Sequence, residues 1–454
     1  MHDGKAIFDL IDKVFQDEHI PWTNCIALGS DNANVMVGKK NGVYGHMLTV
    51  HPSIYLSGCA CHLIHHAAEN AAHCLPFSID QILVDVYYYL DKSSLRKSSL
   101  KAMQVLHELK DADMLKHVCT RWLSVSRCLN RVLENWDPLL QFIREESSST
   151  SSKQADRLDR MKAFFKSPTN RLYCLFLKHA IAVFDKYNTE LQCAEPKIHV
   201  LRRRLHSLLK ELLVMFVKPS AMIYKGVLDV QFTVSSNIKA ENDLLIGDEA
   251  KAFLSQKKDN HLRDKRIQEF HKNVKSFFST ACSYIKQKLP LSCELLKHAE
   301  VTDMQRQTES YQSSVQFFLK KFPCLIPEEE RGKLESEFAL YQVTDIRDIK
   351  KDRLDEAWAE MGQMKDENGV QMFQVLPKFM LRILTIPHSS AHCERVFSMV
   401  RKTHTAFRPN MSSQTLEAIL INKSRSGNAG ARSYTRKQLD SLKSCYVESL
   451  SKHV

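Results

Sequence analysis

Residues 384–423 read LTIPHSSAHCERVFSMVRKTHTAFRPNMSSQTLEAILINK. Ile386-Pro387 closes the apolar stretch Leu381-Arg382-Ile383-Leu384, because proline cannot continue a helix or a strand ladder behind it. Ser389-Ser390-Ala391 follow, and a helix is expected from about His392 to Thr405 with Ser389 or Ser390 as N-cap. Glu394 then falls in the first turn, where a carboxylate complements the helix dipole. A second helix is expected over Ser413 to Lys423, with Leu416, Ile419, Leu420 and Ile421 as its apolar residues. The tail from Ser424 is rich in Ser, Lys and Arg.

Upstream of this stretch the chain begins as an α/β pattern. Ile7, Leu10, Ile11, Val14 and Phe15 recur at helical spacing, so residues 4–18 are expected to form an amphipathic helix. Cys25-Ile26-Ala27-Leu28-Gly29 reads as a buried strand with Asp31 just beyond its end. Asn34 to Tyr44 is expected to form a short helix stopped near Gly42 and Gly45. Ile54 to Gly58 gives a second strand and 60–73 a third helix, rich in Ala and His. From Ile79 the chain turns helical. A helix opening at Thr120-Arg121-Trp122-Leu123-Ser124 is expected to run to about Glu146, kinked at Pro138. Residues 147–153, SSSTSSK, read as a polar linker. Beyond it, Leu201, Leu205, Leu208, Leu212 and Phe216 form one helical stripe, and Phe270, Val274 and Phe277 suggest another. The charged run 256–270 reads as a solvated loop or helix face.

The chain has 454 residues, 44% of them hydrophobic, with 13 Gly and 13 Pro, so it can bury a large and mainly helical core. The net charge is +12, which favours an anionic partner, nucleic acid first among them. The 13 cysteines show no disulfide spacing, the first residues do not read as a signal peptide, and no apolar run is long enough to span a membrane. A reducing compartment is expected, nucleus or cytosol.

The 384–423 string resembles the C-terminal region of hAT-family transposases: Ile386-Pro387, small residues, then Cys393-Glu394-Arg395-Val396-Phe397-Ser398, then Arg408 and an aliphatic helix. Cys393 stands where the family usually has Ser. Three upstream segments agree in order: Ser30-Asp31-Asn32-Ala33-Asn34 resembles the family's strand-end Asp segment, Cys59-x-x-His62 its Cys-x-x-His motif, and Arg121-Trp122 its Arg-Trp motif. Trp358 matches a tryptophan ahead of the C-terminal string.

The resemblance implies an RNase H-like fold, α/β plus α and mostly helical, interrupted by a helical insertion. It divides the chain into a partial RNase H-like core at 1–146, an insertion domain at 147–345, a dimerisation region with the late helix at 346–425, and a basic tail at 426–454. It implies that Asp31 and Glu394 occupy two of three carboxylate positions that hold Mg²⁺ for DNA cleavage and joining. The first Asp has no match, and the strands that would carry it are expected upstream of Met1, so transposition chemistry is not expected. The family's zinc-finger module has no counterpart either. Cys59 and His62 become groups supporting the active site. The wider set Cys61, His65, His66, His73 and Cys74 has no second ligand pair that would make it a structural zinc site. Arg121 and Trp122 are implied nucleic-acid contacts, and Trp358, Phe397, Leu416, Ile419 and Leu420 part of the dimerisation region. The partners implied are a second copy, as homodimer or higher oligomer, and DNA bound without sequence preference, with no membrane. Two alternatives stand beside this: an active transposase represented by a shortened chain, and an interaction scaffold without a DNA role. The runs Arg202-Arg203-Arg204 and Lys320-Lys321 are either phosphate contacts or solvated helix faces.

Overall fold

The strand run ending in Ser30-Asp31 folds as β1 (Ala27–Ser30), and β2 (Tyr55–Gly58) pairs with it in parallel, Ala27 opposite Tyr55 and Ser30 opposite Gly58. Parallel neighbours need a crossover, which the helices Asn34–Val37 and Val43–Val50 supply. The computed structural model describes residues 3–110, 112–117, 123–146, 152–256, 262–309, 311–405 and 410–425. By their contacts the residues fall into two units, Met1–Ser390 and Ala391–Val454.

The first helix, Gly4–Asp17, is capped by Asp3, whose side chain accepts from the Lys5 amide. It turns Phe8 onto Val43, Met47 and Ile54, a small core beneath the crossover. The single helix expected over 34–44 is instead two. Gly42 is the N-cap of the second and Gly45 lies inside it. A Cβ on Gly42 would stand 2.5 Å from the Gly38 nitrogen, and one on Gly45 would stand 2.6 Å from the Lys39 oxygen. These glycines therefore permit a close backbone approach rather than marking a stop.

The helix Ala60–Ala72 follows β2. Its buried face is mostly small, with Ala60, Ala67, Ala68 and Ala71 beside Ile64. It packs on Asp264–Lys288 and Pro168–Leu191. The expected stripes are buried as read: Leu201, Leu205, Leu208, Leu212 and Phe216 along Ile198–Phe216, and Phe270, Val274 and Phe277 along Asp264–Lys288. The start of the charged run lies at residues 257–261, outside the described residues, and its remainder from Asp264 is helical.

Two boundaries differ from expectation. The helix expected to kink at Pro138 breaks earlier, into Leu123–Glu134 and Trp136–Glu145. Asn135 makes the break. Its side chain accepts from Gln104 Nε2 at 2.8 Å and donates to the Arg131 carbonyl at 2.8 Å. Pro138 then sits in the first turn of the second helix, where a missing N–H leaves no bond unmade. Around the expected 147–153 linker, the described residues on both sides fall in the unit Met1–Ser390. Residues 147–151 lie outside the described residues, and Ser152 opens the helix Ser152–Lys166. From that helix Arg160 reaches back to the fully buried Asp85 with bonds of 2.6 and 2.9 Å. A buried carboxylate is tolerable only with such partners.

The helix Leu376–Leu384 is fixed by a carboxylate from elsewhere in the chain. Glu337, itself buried, accepts from the amides of Gln374, Val375 and Leu376 at 2.8–3.1 Å. These are orphan donors of a helix N-terminus, and a charged acceptor satisfies several at once. Glu337→Gln turns an amide NH₂ toward these donors. We expect it to lower stability by roughly 2–3 kcal/mol, seen as a lower urea midpoint with unchanged slope. An unchanged midpoint would contradict this role.

Candidate functional site

The carboxyl ends of β1 and β2 carry the residues singled out in the sequence. Asp31 lies one residue past β1 and is exposed, and its Oδ1 accepts from the Ala33 amide at 3.2 Å, an Asx turn. The Asn32 side chain turns the other way and donates to the Cys59 carbonyl at 3.2 Å. A side chain at Gly58 would collide with Asn32 Oδ1. The Cys59 amide donates to the Ser30 carbonyl at 3.0 Å, so the two strand ends are laced together.

Cys59 is the N-cap of Ala60–Ala72 and only 1% exposed. Its thiol is held down to about 3, chiefly by the hydrogen bond from Cys61; burial opposes this, and further bonds from His62 and Ser390 add to it. A helix N-terminus also favours a thiolate. Cys59 and His62 thus share one local hydrogen-bond network. His65 behaves differently: burial pulls it down to about 4, so it is neutral at pH 7.

The string Ile386–Ser390 is fastened to these strand ends. Ser57 Oγ donates to the Pro387 carbonyl at 2.5 Å, and the Ser390 amide donates to Cys59 Sγ at 3.4 Å. Pro387 lies against the bare Cα of Gly29, where a Cβ would come within 2.5 Å of its ring. His388 Nε2 lies 3.0 Å from the Leu191 carbonyl, so that nitrogen carries the proton, and Ser389 Oγ donates to the same oxygen at 3.1 Å. Leu191 ends Pro168–Leu191, so these two side chains satisfy an orphan helix carbonyl.

In the unit Ala391–Val454, Glu394 occupies the first turn of the helix Ala391–Thr403, and Arg401 and Lys402 its last turn. Phe397 on this helix is 63% exposed. The second helix runs Ser413–Arg425, with Leu416, Ile419 and Leu420 half-buried or exposed along it and Ile421 exposed. Lys423 Nζ donates to Thr403 Oγ1 at 2.9 Å and ties the two helices.

Other sequence candidates fall elsewhere. Trp358 is fully buried in Met1–Ser390, its indole N–H donating to the Thr302 carbonyl at 2.8 Å and its ring against Tyr341. Arg121, Trp122 and Arg408 lie outside the described residues. Close by in sequence, His117 is buried between Asp80 (Nε2 to Oδ1, 2.8 Å) and Ser124 (Nδ1 to Oγ, 2.7 Å), an arrangement that no spacing rule singles out. The arginine run is paired with carboxylates: Arg202 with Glu300 at 3.0 Å, Arg203 with Asp303, and Arg204 with Glu190 at 2.6 Å.

Among the described residues no group of three or more His, Cys, Asp or Glu side chains is arranged to hold a metal ion. Asp31 also commits one oxygen to the Ala33 amide. Mg²⁺ needs several hard oxygen ligands in near-octahedral order, more than Asp31 offers by itself.

The low value of Cys59 makes a spectroscopic prediction. A thiol whose folded value lies far below its unfolded one favours the fold at pH above the unfolded value, and the advantage is lost as pH falls toward the folded one. At pH 7 Cys59 should therefore be a thiolate. Subtracting the ultraviolet spectrum of Cys59→Ser from that of the unsubstituted chain should leave a thiolate absorption band that persists on mild acidification. Identical spectra would refute it.

Compared with known proteins, residues 367–426 match the family model described as the hAT family C-terminal dimerisation region. No curated protein matches the chain. The matched span includes the seated Ile386–Ser390 string, Glu394, Phe397 and both helices of the second unit. Over that span, and on that comparison, the chain is similar to the C-terminal dimerisation region of the hAT family.

Proposed function

We propose that this chain is a transposon-derived, hAT transposase-like protein, domesticated or residual, that forms a homodimer through residues 367–426. On this reading it keeps a sequence-independent affinity for DNA, acts in the nucleus, and does not carry out transposition. The observation that carries it is the match of 367–426 to a dimerisation region. Two features of that span support it. Phe397 is a large exposed side chain, and Ile421 adds a second exposed apolar residue on the helix Ser413–Arg425. Apolar groups of this kind gain most by being covered, and a symmetric dimer covers the same patch on both subunits.

An RNase H-like ancestry for the first unit is supported by the parallel pair β1–β2, its helical crossover, and the strand-end cluster of Asp31, Asn32, Cys59 and Ser390. By the resemblance, Asp31 and Glu394 descend from two catalytic carboxylate positions. Among the described residues no three ligating side chains are gathered to hold a metal ion, and we assign the pair to ancestry and not to present chemistry. The net charge of +12 supports salt-sensitive contact with phosphates.

In light scattering the chain should weigh as a dimer, and Leu416→Asp with Ile419→Asp should return it to a monomer while leaving its helical circular dichroism. A monomeric unsubstituted chain would overturn the dimer. In gel shifts, affinity for unrelated DNA duplexes should be equal and fall steeply with salt. No shift at low salt would remove the DNA role. Strand-transfer assays with Mg²⁺ or Mn²⁺ should give no joined product, and joined product would restore the enzyme reading.

A further inference from the structure

An open groove of about 520 Å³ lies at the end of the helix Ile198–Phe216. Val217 and Val230 form its floor, and Val214, Pro219, Met222 and Ile223 line it. Ile223 is 58% exposed, and most of the exposed lining is apolar. The floor is stapled by backbone bonds: Lys218 N to Asn237 O and Lys239 N to Phe216 O, both 2.8 Å, around an antiparallel bridge between Val217 and Ile238. The groove is thus preformed, which lowers the ordering cost of binding.

Its rim is basic. Lys210, Lys225 and Lys239 border it. Among the described residues no carboxylate forms an ion pair with Lys210 or Lys225. Lys239 donates to the Val214 carbonyl at 2.7 Å, and burial pulls its ammonium below lysine's ordinary value, with Asp243 opposing. Tyr224 stands at the edge, 99% exposed and at φ 59°, a left-handed conformation that side-chain-bearing residues rarely adopt. The turn bonds Ile223 N to Pro219 O and Lys225 N to Met222 O flank it. Local strain of this kind gathers at binding sites.

We propose that this groove docks an acidic peptide segment of a partner protein, whose aliphatic or aromatic side chains fill it while its carboxylates meet the three lysines. Charge complementarity selects an acidic occupant. The aliphatic floor selects a peptide over nucleic acid, because a single-strand groove needs a basic track and successive aromatic faces, and this one offers a single exposed tyrosine.

The test uses the full chain and a short fluorescein-labelled peptide with two leucines and a phenylalanine among glutamates. Controls are the same peptide with serines at the apolar positions and a single-stranded oligothymidylate. By fluorescence anisotropy the apolar acidic peptide should bind, and the serine peptide should bind at least about tenfold more weakly. Ile223→Ser and the pair Lys210→Glu with Lys225→Glu should each cost the peptide about tenfold or more, with thermal unfolding unchanged. Both sets of residues are exposed, so the fold does not depend on them. Equal binding of the two peptides, or indifference to both variants, overturns the proposal. Loss of oligothymidylate affinity alone in the variants also overturns it and makes the groove a nucleic-acid surface.

Discussion

Pro387 rests on the bare Cα of Gly29, and Ser57 holds its carbonyl. The first unit's small sheet depends on this contact. A two-stranded sheet is marginal by itself, and β1 and β2 are four residues each. They persist because one face is covered and their ends are tied. The helix Ala60–Ala72 anchors β2 to the helical core, Asn32 bridges the strand ends to Cys59, and Ile386–Ser390 closes over them. Ile386 is buried, while Ser389 and His388 spend their polar groups on the last carbonyl of Pro168–Leu191. A string that a sequence pattern marks only as isoleucine, proline and small residues is therefore a clasp. The proline supplies the surface that a glycine must face, and the small residues let the backbone come within hydrogen-bonding distance of the Cys59 sulfur.

Much of this is legible in the sequence, because it is local. The amphipathic spacings of 4–18 and 201–216 give helices within a few residues of those found, the 270–277 stripe marks only the middle of the longer helix Asp264–Lys288, and the apolar runs before Asp31 and at Ile54 to Gly58 give the strands. What is not legible depends on partners distant in sequence. Nothing near Leu376 announces that Glu337 caps its helix, and nothing in SSSTSSK announces that Arg160 beyond it grips Asp85 before it. Pro138 is the conspicuous breaker, yet the break falls at Asn135, whose side chain is held by the distant Gln104. Trp358 shows a further limit: a tryptophan in a family string can belong to a surface or a core, and its burial against Tyr341 decides for the core.

The charge of the chain is also distributed in a way that a count conceals. The most conspicuous basic run, Arg202-Arg203-Arg204, is spent on Glu300, Asp303 and Glu190, and in that state it clamps the Ile198–Phe216 helix to neighbouring segments. Lys210 and Lys225, which have no carboxylate partner among the described residues, border an apolar groove instead. A sum of +12 thus includes charges with structural duties and charges open to a partner.

Hydrogen exchange on Gly29→Ala reports whether the seat of Ile386–Ser390 holds the strand ends. The added methyl meets the Pro387 ring, and overpacking of this kind costs roughly 1–3 kcal/mol. If the clasp holds the sheet as described, amides of residues 386–390 and of β2 should exchange at least about tenfold faster in the variant, while those of the Asp264–Lys288 helix keep their protection. Unchanged exchange across 386–390, with the methyl accommodated at no cost, would contradict it.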